Sequence, residues 1–430
     1  MNAHLEAARP AARAGTSRGQ ANAALAVLFV VALFNHVDRT ILSILQVPIK
    51  QDMGLSDTQL GALTGMAFAA VYCTLALPMS RVADRVVRKF LMAAALALWS
   101  IMTALSGLVT SFWMLVVLRM GVALGESCCS PTTLSLLSDY FPRARRGLPM
   151  AIWSTSVPVG TMLGLVGGGW LTAALGWRDA FIVVGLAGLL IVPAVLLLKE
   201  PRRGQFDDAD AAAVAPPPLR EALATLWRLK AMRWLLAAGS FQAFVLCALQ
   251  LWSAPFYARV FQIPLENIGL VLGLLFGVGG GLGALLGGYL VDRTARRSVR
   301  WYGWLPALAC LGMIPLSLGQ YLVGSMAVSV AFGLGAFVLL NFYLAPLNAA
   351  TQSLVPPGMR AFTSAMLLVF SNLIGLGLGP LFTGVVSDIL TANGLGDEAL
   401  RYALALTLLA ALPAAACFYL ASRHLARELR

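Results

Sequence analysis

The chain has 430 residues, of which 59% are hydrophobic and 12% are charged, and its mean hydropathy is +0.80. An ordinary soluble domain carries about 25% charged residues, so this chain has too few charges to cover the surface of a soluble fold. A bilayer removes that requirement, because surface that faces lipid stays apolar. The composition therefore excludes a soluble globular protein and predicts an all-α protein embedded in a membrane.

Apolar runs separated by turn or charge signals predict twelve transmembrane helices. A spanning helix needs about 20 mostly apolar residues, and helices are expected because lipid offers backbone polar groups no partner. The predicted spans are 22–46, 58–79, 90–109, 112–136, 148–173, 180–198, 233–256, 266–290, 302–319, 323–349, 361–386 and 399–421.

A long polar interruption divides these helices into six and six. It contains three acidic residues between 207 and 210, the run Pro216-Pro217-Pro218, and a short interfacial helix predicted near 219–229. The predicted organisation is a disordered cytoplasmic tail, a six-helix bundle, a cytoplasmic linker, a second six-helix bundle and a cytoplasmic tail. Their respective ranges are 1–21, 22–198, 199–232, 233–422 and 423–430.

Basic residues lie very unevenly between the two sides of this topology. Of the 31 Lys and Arg residues, 25 fall on the side of the N-terminus and 4 on the opposite side. Basic loops remain in the cytoplasm, so both termini are predicted there, and we expect a multi-pass protein of the bacterial inner membrane. The net charge of +12 then reflects topology and contact with anionic lipid, and no nucleic-acid partner is predicted.

No pattern in the sequence indicates a metal, a nucleotide or another cofactor. The six cysteines lie in apolar segments without paired spacing, which argues against a disulfide framework and against a metal site. The glycine-rich stretches 164–168 and 277–281 lie in apolar helices without a lysine. They are typical of close helix crossings and not of phosphate loops, so ATP drive is unsupported.

The two halves carry related loops, as expected for internally duplicated secondary transporters. Asp84-Arg85 after the second helix and Asp292-Arg293 after the eighth are 208 residues apart, and each is followed by a basic pair. We predict that these loops hold the cytoplasmic side closed in an outward-facing state. The predicted gate residues are Asp84, Arg85, Arg88, Asp292, Arg293 and Arg296.

Twelve spans in two halves with these duplicated loops resemble the major facilitator superfamily, over nearly the whole chain. The first half resembles its Spinster-like branch, on residues 35–203. The matching segments are 35–39, 55–61, 99–100, 119–127 with Pro131, 138–142, 176–181 and 199–201. The chain departs from the superfamily loop pattern where Ser80, Val87 and Ala295 replace glycines.

Four charged residues lie within the predicted spans away from their ends: Asp38 and Arg39 in the first helix, and Arg119 and Glu126 in the fourth. Each costs about 2.5–3.5 kcal/mol at the centre of a spanning helix, so they are expected to face a cavity and to form pairs. Seven residues make almost two helical turns, which places Arg119 and Glu126 on one face. We predict the pairs Arg39–Glu126 and Asp38–Arg119.

A functional interpretation makes Asp38 and Glu126 proton carriers, with protons as the coupling ion. The proton affinity of a carboxylate depends on its desolvation and on nearby positive charge, and both change when a cavity opens to one side. The alternative is a static ion-pair cluster that fixes the helix interface. The resemblance implies that Asp38, Arg39 and Glu126 line the cavity and couple protons. We also predict that Arg39, Arg119, Asn35 and His36 contact substrate or pair with these charges. For His36 a proton relay and a satisfied polar side chain both remain open.

The second half has no charge in its predicted spans away from their ends, and it supplies amides and aromatic rings. Its predicted cavity residues are Gln250, Tyr257, Asn341, Asn348 and Asn372. A cavity that is ionic on one wall and apolar on the other suits an amphipathic molecule.

The leading hypothesis is a monomeric, proton-coupled transporter that moves an amphipathic small molecule by alternating access. The resemblance implies a lysolipid-like or sphingoid-like solute or a drug-like one, and we expect export. A proton symporter that imports an organic carboxylate is the alternative. An intramembrane enzyme lacks a nucleophile–base set here, a channel would not need duplicated gating loops, and a sensor would bind its ligand without transport.

Overall fold

The computed structural model describes residues 17–142, 145–206, 219–356 and 359–428. Within these ranges it leaves undescribed the side chains of Ala76, Leu77, Ser80, Arg81, Asp84, Leu219 and Ala361. The acidic and proline-rich parts of the predicted linker and most of the predicted N-terminal tail therefore lie outside the described residues.

The described chain is helical throughout. The first half consists of α1 (Arg18–Met53), α2 (57–85), α3 (Arg88–Ser106), α4 (Phe112–Tyr140), α5 (Gly147–Leu175) and α6 (Trp177–Leu196). A short helix, α7 (Leu219–Arg228), precedes the second half. That half consists of α8 (Lys230–Val260), α9 (Leu265–Ala295), α10 (Trp301–Leu322), α11 (Met326–Ser353), α12 (360–395) and α13 (399–428).

Eleven stretches of the described chain are long and apolar enough to cross a membrane, and the last of them runs from Phe362 to Glu428. Gly394 and Gly396 interrupt this stretch with φ values of 92° and 51°, a left-handed conformation that glycine adopts without strain. The break separates α12 from α13, so the all-α fold of twelve membrane helices in two bundles is confirmed.

Capping explains why α1 starts earlier than predicted. Ser17 and Gln20 form a reciprocal capping box at its N-terminus, which satisfies backbone N–H groups that the helix leaves unpaired. Residues 18–21, assigned to the disordered tail, therefore belong to the helix. At the other end, α1 stops at Gly54 with φ 63°. The last helix likewise continues to Glu428, into the predicted C-terminal tail.

The two halves pack against each other mainly at the end of the molecule opposite the linker, which we call the far end. Gly169 of α5 and Gly269 of α9 lie against backbone of the opposite helix, so that an added Cβ would come within 2.6 Å and 2.5 Å of a carbonyl oxygen. Gly61 of α2 is similarly close to the Pro380 carbonyl of α12. Small residues permit such close crossings.

At the linker end, by contrast, polar contacts of the described residues stay within one half. Arg203 donates to the carbonyls of Ala83 and Val86, and Tyr140 donates to the Lys199 carbonyl. Where the structure describes them, the segments Cys129–Tyr140 and Gly147–Ser154 have no extensive packing against Leu344–Ser353 or Arg360–Phe370. The halves are therefore closed together at the far end and apart at the linker end.

Arg88 ties the start of the linker to the first bundle. Its guanidinium donates to Asp139 at 2.5 Å, to Glu200 at 2.7 Å and to the Pro201 carbonyl at 3.1 Å. The side chain is 1% exposed. A buried arginine between two carboxylates is stabilising in this setting because removing it would leave both acids without an ion-pair partner among the described residues.

We expect Arg88→Met to lower the apparent melting temperature of the purified protein by about 6–20 °C. Breaking a buried ion pair costs about 3–5 kcal/mol, and each kcal/mol corresponds to about 2–4 °C in a unit of about 150–250 residues, the size of the first bundle. The matched control is Arg296→Met at the position related by the loop duplication, because Arg296 is exposed and pairs with no described acid. Equal melting temperatures for the two variants would contradict the anchoring role.

Candidate functional site

The structure brings the four intramembrane charges together between α1 and α4. Arg39 Nε lies 2.5 Å from Glu126 Oε2, and Arg119 Nη1 lies 3.7 Å from Asp38 Oδ1. Glu126 is 0% exposed, Arg119 2% and Asp38 3%. The partners are those predicted from helical spacing, and their burial requires such pairing because isolated charges are costly in a membrane interior.

Side chains from α2 and α3 complete the cluster. Thr103 donates a hydrogen bond of 2.5 Å to Asp38 Oδ2. The Arg39 guanidinium lies over the rings of Phe68 and Tyr72, at 4.9 Å and 4.7 Å from their centres. Aromatic faces attract cations, most strongly where water is excluded. Arg39 is therefore held by one carboxylate and two rings.

The two ion pairs differ in how many hydrogen bonds their charged groups form. Arg39 and Glu126 share a short hydrogen bond, whereas Arg119 and Asp38 are too far apart for one. Arg119 Nε and Nη1, Asp38 Oδ1 and Glu126 Oε1 are buried without a hydrogen-bond partner among the described residues. Buried polar atoms normally have a partner, so Arg119 retains capacity to bind a further group.

A cavity of about 250 Å³ lies beside this cluster, between the two halves. The first half contributes His36, Arg39, Thr40, Ser43, Thr64, Phe68 and Arg119, with Val157, Thr161 and Leu165 from α5. The second half contributes Cys247, Gln250, Leu251, Phe276, Asn372 and Leu376. One wall is thus cationic and polar, and the opposite wall is apolar except for its two amides.

The structure places three of the predicted cavity residues elsewhere. Tyr257 is buried within the second half, where its hydroxyl lies 3.3 Å from Ser329 Oγ and 3.4 Å from Gln320 Nε2. Asn341 and Asn348 donate to carbonyls of their own helix. The sequence showed that these residues lie on membrane helices, but it did not show which side of each helix faces the cavity. Packing between the helices determines that.

The remaining predicted residues of the first half are near the cluster but differ in access. His36 lines the cavity, whereas Asn35 is buried outside it with Nδ2 unpaired among the described residues. In the second half, Gln250 and Asn372 are the predicted amides that reach the cavity. Asn372 also donates to the Leu368 carbonyl of its own helix.

The predicted gate residues do not meet in this conformation. Arg88 binds Asp139 and Glu200 of its own half, and Arg293 donates to Tyr289 of its own helix at 3.2 Å. Among described side chains, the exposed residues Arg85, Asp292 and Arg296 form no ion pair. The Asp84 side chain lies outside the described residues. A gate formed in an outward-facing state remains a prediction.

A second charged cluster at the far end was missed by sequence reasoning. Asp57, at the start of α2, binds Arg259 of α8 through two contacts of 2.8 Å, Lys50 at 2.6 Å and Ser387 at 2.6 Å. Asp388 of α12 in turn accepts hydrogen bonds from the Asp57 and Thr58 backbone. We call this cluster the far-end clamp. Asp57 follows the N-cap Ser56 and lies in the segment 55–61 that resembles the Spinster-like branch, but its position in the sequence indicated no partner.

Comparisons with known proteins agree with this architecture. A family profile described as Major Facilitator Superfamily matches residues 28–380. An MFS-type efflux pump of Mycolicibacterium smegmatis is 36% identical over 411 residues, which cover 95% of this chain and 94% of that protein. Protein spinster homolog 1 of Xenopus tropicalis is 27% identical, over 84% of this chain and 72% of that protein.

A solved structure agrees with this fold. A bacterial homolog of the human lysosomal transporter Spinster, crystallised in an inward-facing and unoccupied conformation, superposes with a TM-score of 0.88. It is 28% identical, and the match covers 96% of this chain and 99% of that one. The chain therefore belongs to the Major Facilitator Superfamily and is a membrane transporter of its Spinster-like branch, not an enzyme.

Proposed function

We propose that this transporter couples the movement of an amphipathic small molecule to protons. The observation that carries the proposal is the contact between a fully buried carboxylate and a side chain of the cavity wall. Glu126 is 0% exposed, and its partner Arg39 both lines the cavity and has a quarter of its side chain exposed. A ligand or a change in access that alters Arg39 therefore alters the environment of Glu126.

The coupling mechanism follows from the electrostatics of this contact. A carboxylate holds its proton more weakly while a guanidinium is within hydrogen-bond distance, and more strongly when that contact is lost in a dry environment. Movement of Arg39 toward an anionic group of the substrate would thus favour protonation of Glu126. Asp38 and Arg119 form the second, looser pair, and in this proposal Asp38 is the other proton carrier.

The amphipathic substrate class is supported by the two unlike walls of the cavity. Arg39 and Arg119 suit an anionic or polar head, and Leu165, Leu251 and Phe276 suit an apolar body. Most of a ligand pocket is commonly apolar, with few polar groups that fix orientation. The efflux activity named for the mycobacterial relative supports export, and it does not identify the solute.

Alternating access is proposed to use the two ends of the molecule in turn. With the N-terminus in the cytoplasm, as the loop charges predict, the linker end is cytoplasmic and the structure is open inward. The far-end clamp then closes the external side in this state. The loops that carry Asp84 and Asp292 are proposed to close the cytoplasmic side in the opposite state.

A second candidate function is symport of an organic carboxylate, and the unpaired atoms of Arg119 favour it. Arg119 lines the cavity, and its Nε and Nη1 have no hydrogen-bond partner among the described residues. These two donors belong to a guanidinium, the group that proteins use most often to bind carboxylates in a planar geometry.

Proton coupling is tested by replacing the two buried acids. In proteoliposomes with an internal pH dye, we expect a panel of lysolipids and organic carboxylates to contain a solute whose transport moves protons. Glu126→Gln and Asp38→Asn should each reduce that proton movement at least about tenfold, because an amide cannot carry a proton at neutral pH.

Glu266→Gln, a change at an exposed acid without a described ion pair, is the control and should leave proton movement unchanged. Solute transport without proton movement, unaffected in both cluster variants, would contradict coupling and reduce the cluster to a structural role.

The two candidate substrates respond differently to a change at Arg119. We expect Arg119→Gln to weaken apparent affinity for a carboxylate solute about tenfold to a hundredfold, because a charge-assisted hydrogen bond contributes about 1.5–3 kcal/mol. A neutral amphiphile measured in the same proteoliposomes is the control and should be affected much less. Equal effects on both solutes would argue against direct contact with a carboxylate.

The far-end clamp is tested through the balance between inward-open and outward-open states. Asp57 is 1% exposed and holds three side-chain partners, so Asp57→Asn should cost the closed far end about 3 kcal/mol. A change of this size is comparable to the free-energy difference between two conformations of a protein, which is a few kcal/mol. Spin labels at the exposed far-end positions Gln51 and Asn393 should then show a larger fraction of molecules in which the two labels are far apart, as in an outward-open state.

Asp179→Asn, at an exposed acid of α6, is the matched control for this experiment. Identical distance distributions for Asp57→Asn and the unchanged protein would show that the clamp does not set the conformational balance.

A further inference from the structure

The outer surface between α10 and α13 carries a groove unrelated to the central cavity. This α10–α13 groove has a volume of about 510 Å³. Its walls are almost entirely apolar and include Trp301, Trp304, Leu308, Leu311, Leu412 and Tyr419. Leu308 is 60% exposed and Leu412 48%, so the groove faces out of the protein toward the bilayer.

Basic side chains surround the linker end of this groove. Two further cavities, of about 530 Å³ and 470 Å³, adjoin the groove. Trp304 and Tyr419 line both the groove and the 530 Å³ cavity. Arg300 lines both the 530 Å³ and the 470 Å³ cavity. The arginines along these cavities are Arg296, Arg297, Arg300, Arg423 and Arg427. All five are exposed, and none pairs with an acid that the structure describes.

The nearby acid is directed away from this basic cluster. Glu428 ends α13, and its carboxylate accepts hydrogen bonds from the backbone N–H groups of Lys230 and Ala231 at the start of α8. Arg423 lies over the Tyr419 ring at 5.1 Å, which holds one guanidinium at the mouth of the groove. The cluster therefore presents several positive charges without internal neutralisation.

The dimensions of the groove correspond to one leaflet of a bilayer. Arg300 and Leu311 are eleven residues apart on α10, as are Arg423 and Leu412 on α13. At 1.5 Å per residue each interval spans about 16 Å, which is about half of the 30 Å hydrocarbon core. Trp301 and Trp304 lie at the boundary between the charges and the apolar walls, where tryptophan is enriched in membrane proteins.

We propose that the α10–α13 groove binds an anionic diacyl phospholipid. The phosphate would contact Arg300, Arg423 and Arg427, and one acyl chain would lie against the apolar wall. Basic pockets between membrane helices at this level favour anionic head groups. A zwitterionic lipid would leave the arginines without a counter-charge. A second copy of the chain, seated symmetrically on this face, would bring two arginine clusters together.

The proposal is tested by native mass spectrometry of the purified protein with equimolar phosphatidylglycerol and phosphatidylcholine of matched chains. The unchanged protein should retain more phosphatidylglycerol than phosphatidylcholine. The triple variant Arg300→Gln/Arg423→Gln/Arg427→Gln should reduce that preference at least about tenfold, since each basic residue near an anionic surface contributes about 1 kcal/mol.

A second triple variant serves as the matched control. Arg220→Gln/Arg228→Gln/Arg233→Gln removes the same charge from exposed positions near the linker and should keep the preference. No preference in the unchanged protein, or an equal loss in both triple variants, would overturn the proposal and indicate general contact with lipid.

A further variant separates a bound lipid from a bound phosphate. Ala416 is exposed and lines the groove, so Ala416→Trp should obstruct the acyl chain and lower phosphatidylglycerol retention severalfold. Ala173→Trp at an exposed position of α5 should not. Displacement of the lipid by millimolar glycerol phosphate, with no effect of Ala416→Trp, would show an anion site without a lipid chain and overturn the proposal.

Discussion

The buried ion pair between Arg39 and Glu126 sets the constraint on which the rest of this molecule depends. Two charges in a membrane interior persist when they are paired and supported by further polar or aromatic contacts. Here α1 and α4 supply the charges, while Phe68 and Tyr72 of α2 cover the guanidinium. The packing of the first bundle and the polarity of the central cavity both follow from this arrangement.

The two halves contribute different kinds of side chain to the central cavity. The first half holds the four cluster residues, and the second half contributes to the cavity mainly an apolar wall with Gln250 and Asn372. Substrate between these walls would contact an ionisable and an apolar surface at once, and in the proposed mechanism Arg39 links its binding to the protonation of Glu126. The far-end clamp adds a contact between the halves that lies well away from this cavity.

Two charged clusters at the ends of the helices have different roles. Arg88, Asp139 and Glu200 belong to one half, so their contacts can persist while the halves move. Asp57 and Arg259 belong to different halves, so their contact must break when the far end opens. The outer arginines beside the α10–α13 groove are exposed, and in our proposal they bind the head group of a lipid.

The sequence by itself determined the membrane class, the twelve helices, their division into two bundles and the superfamily, because apolar length and duplicated loops are local properties. Helical spacing also predicted that Arg39 meets Glu126, since buried charges have few alternative partners. Tertiary structure alone decided that Tyr257, Asn341 and Asn348 face away from the cavity, and that Asp57 joins the halves. A neutral side chain can be satisfied on any helical face, and residues 202 positions apart, such as Asp57 and Arg259, meet only through packing of whole bundles.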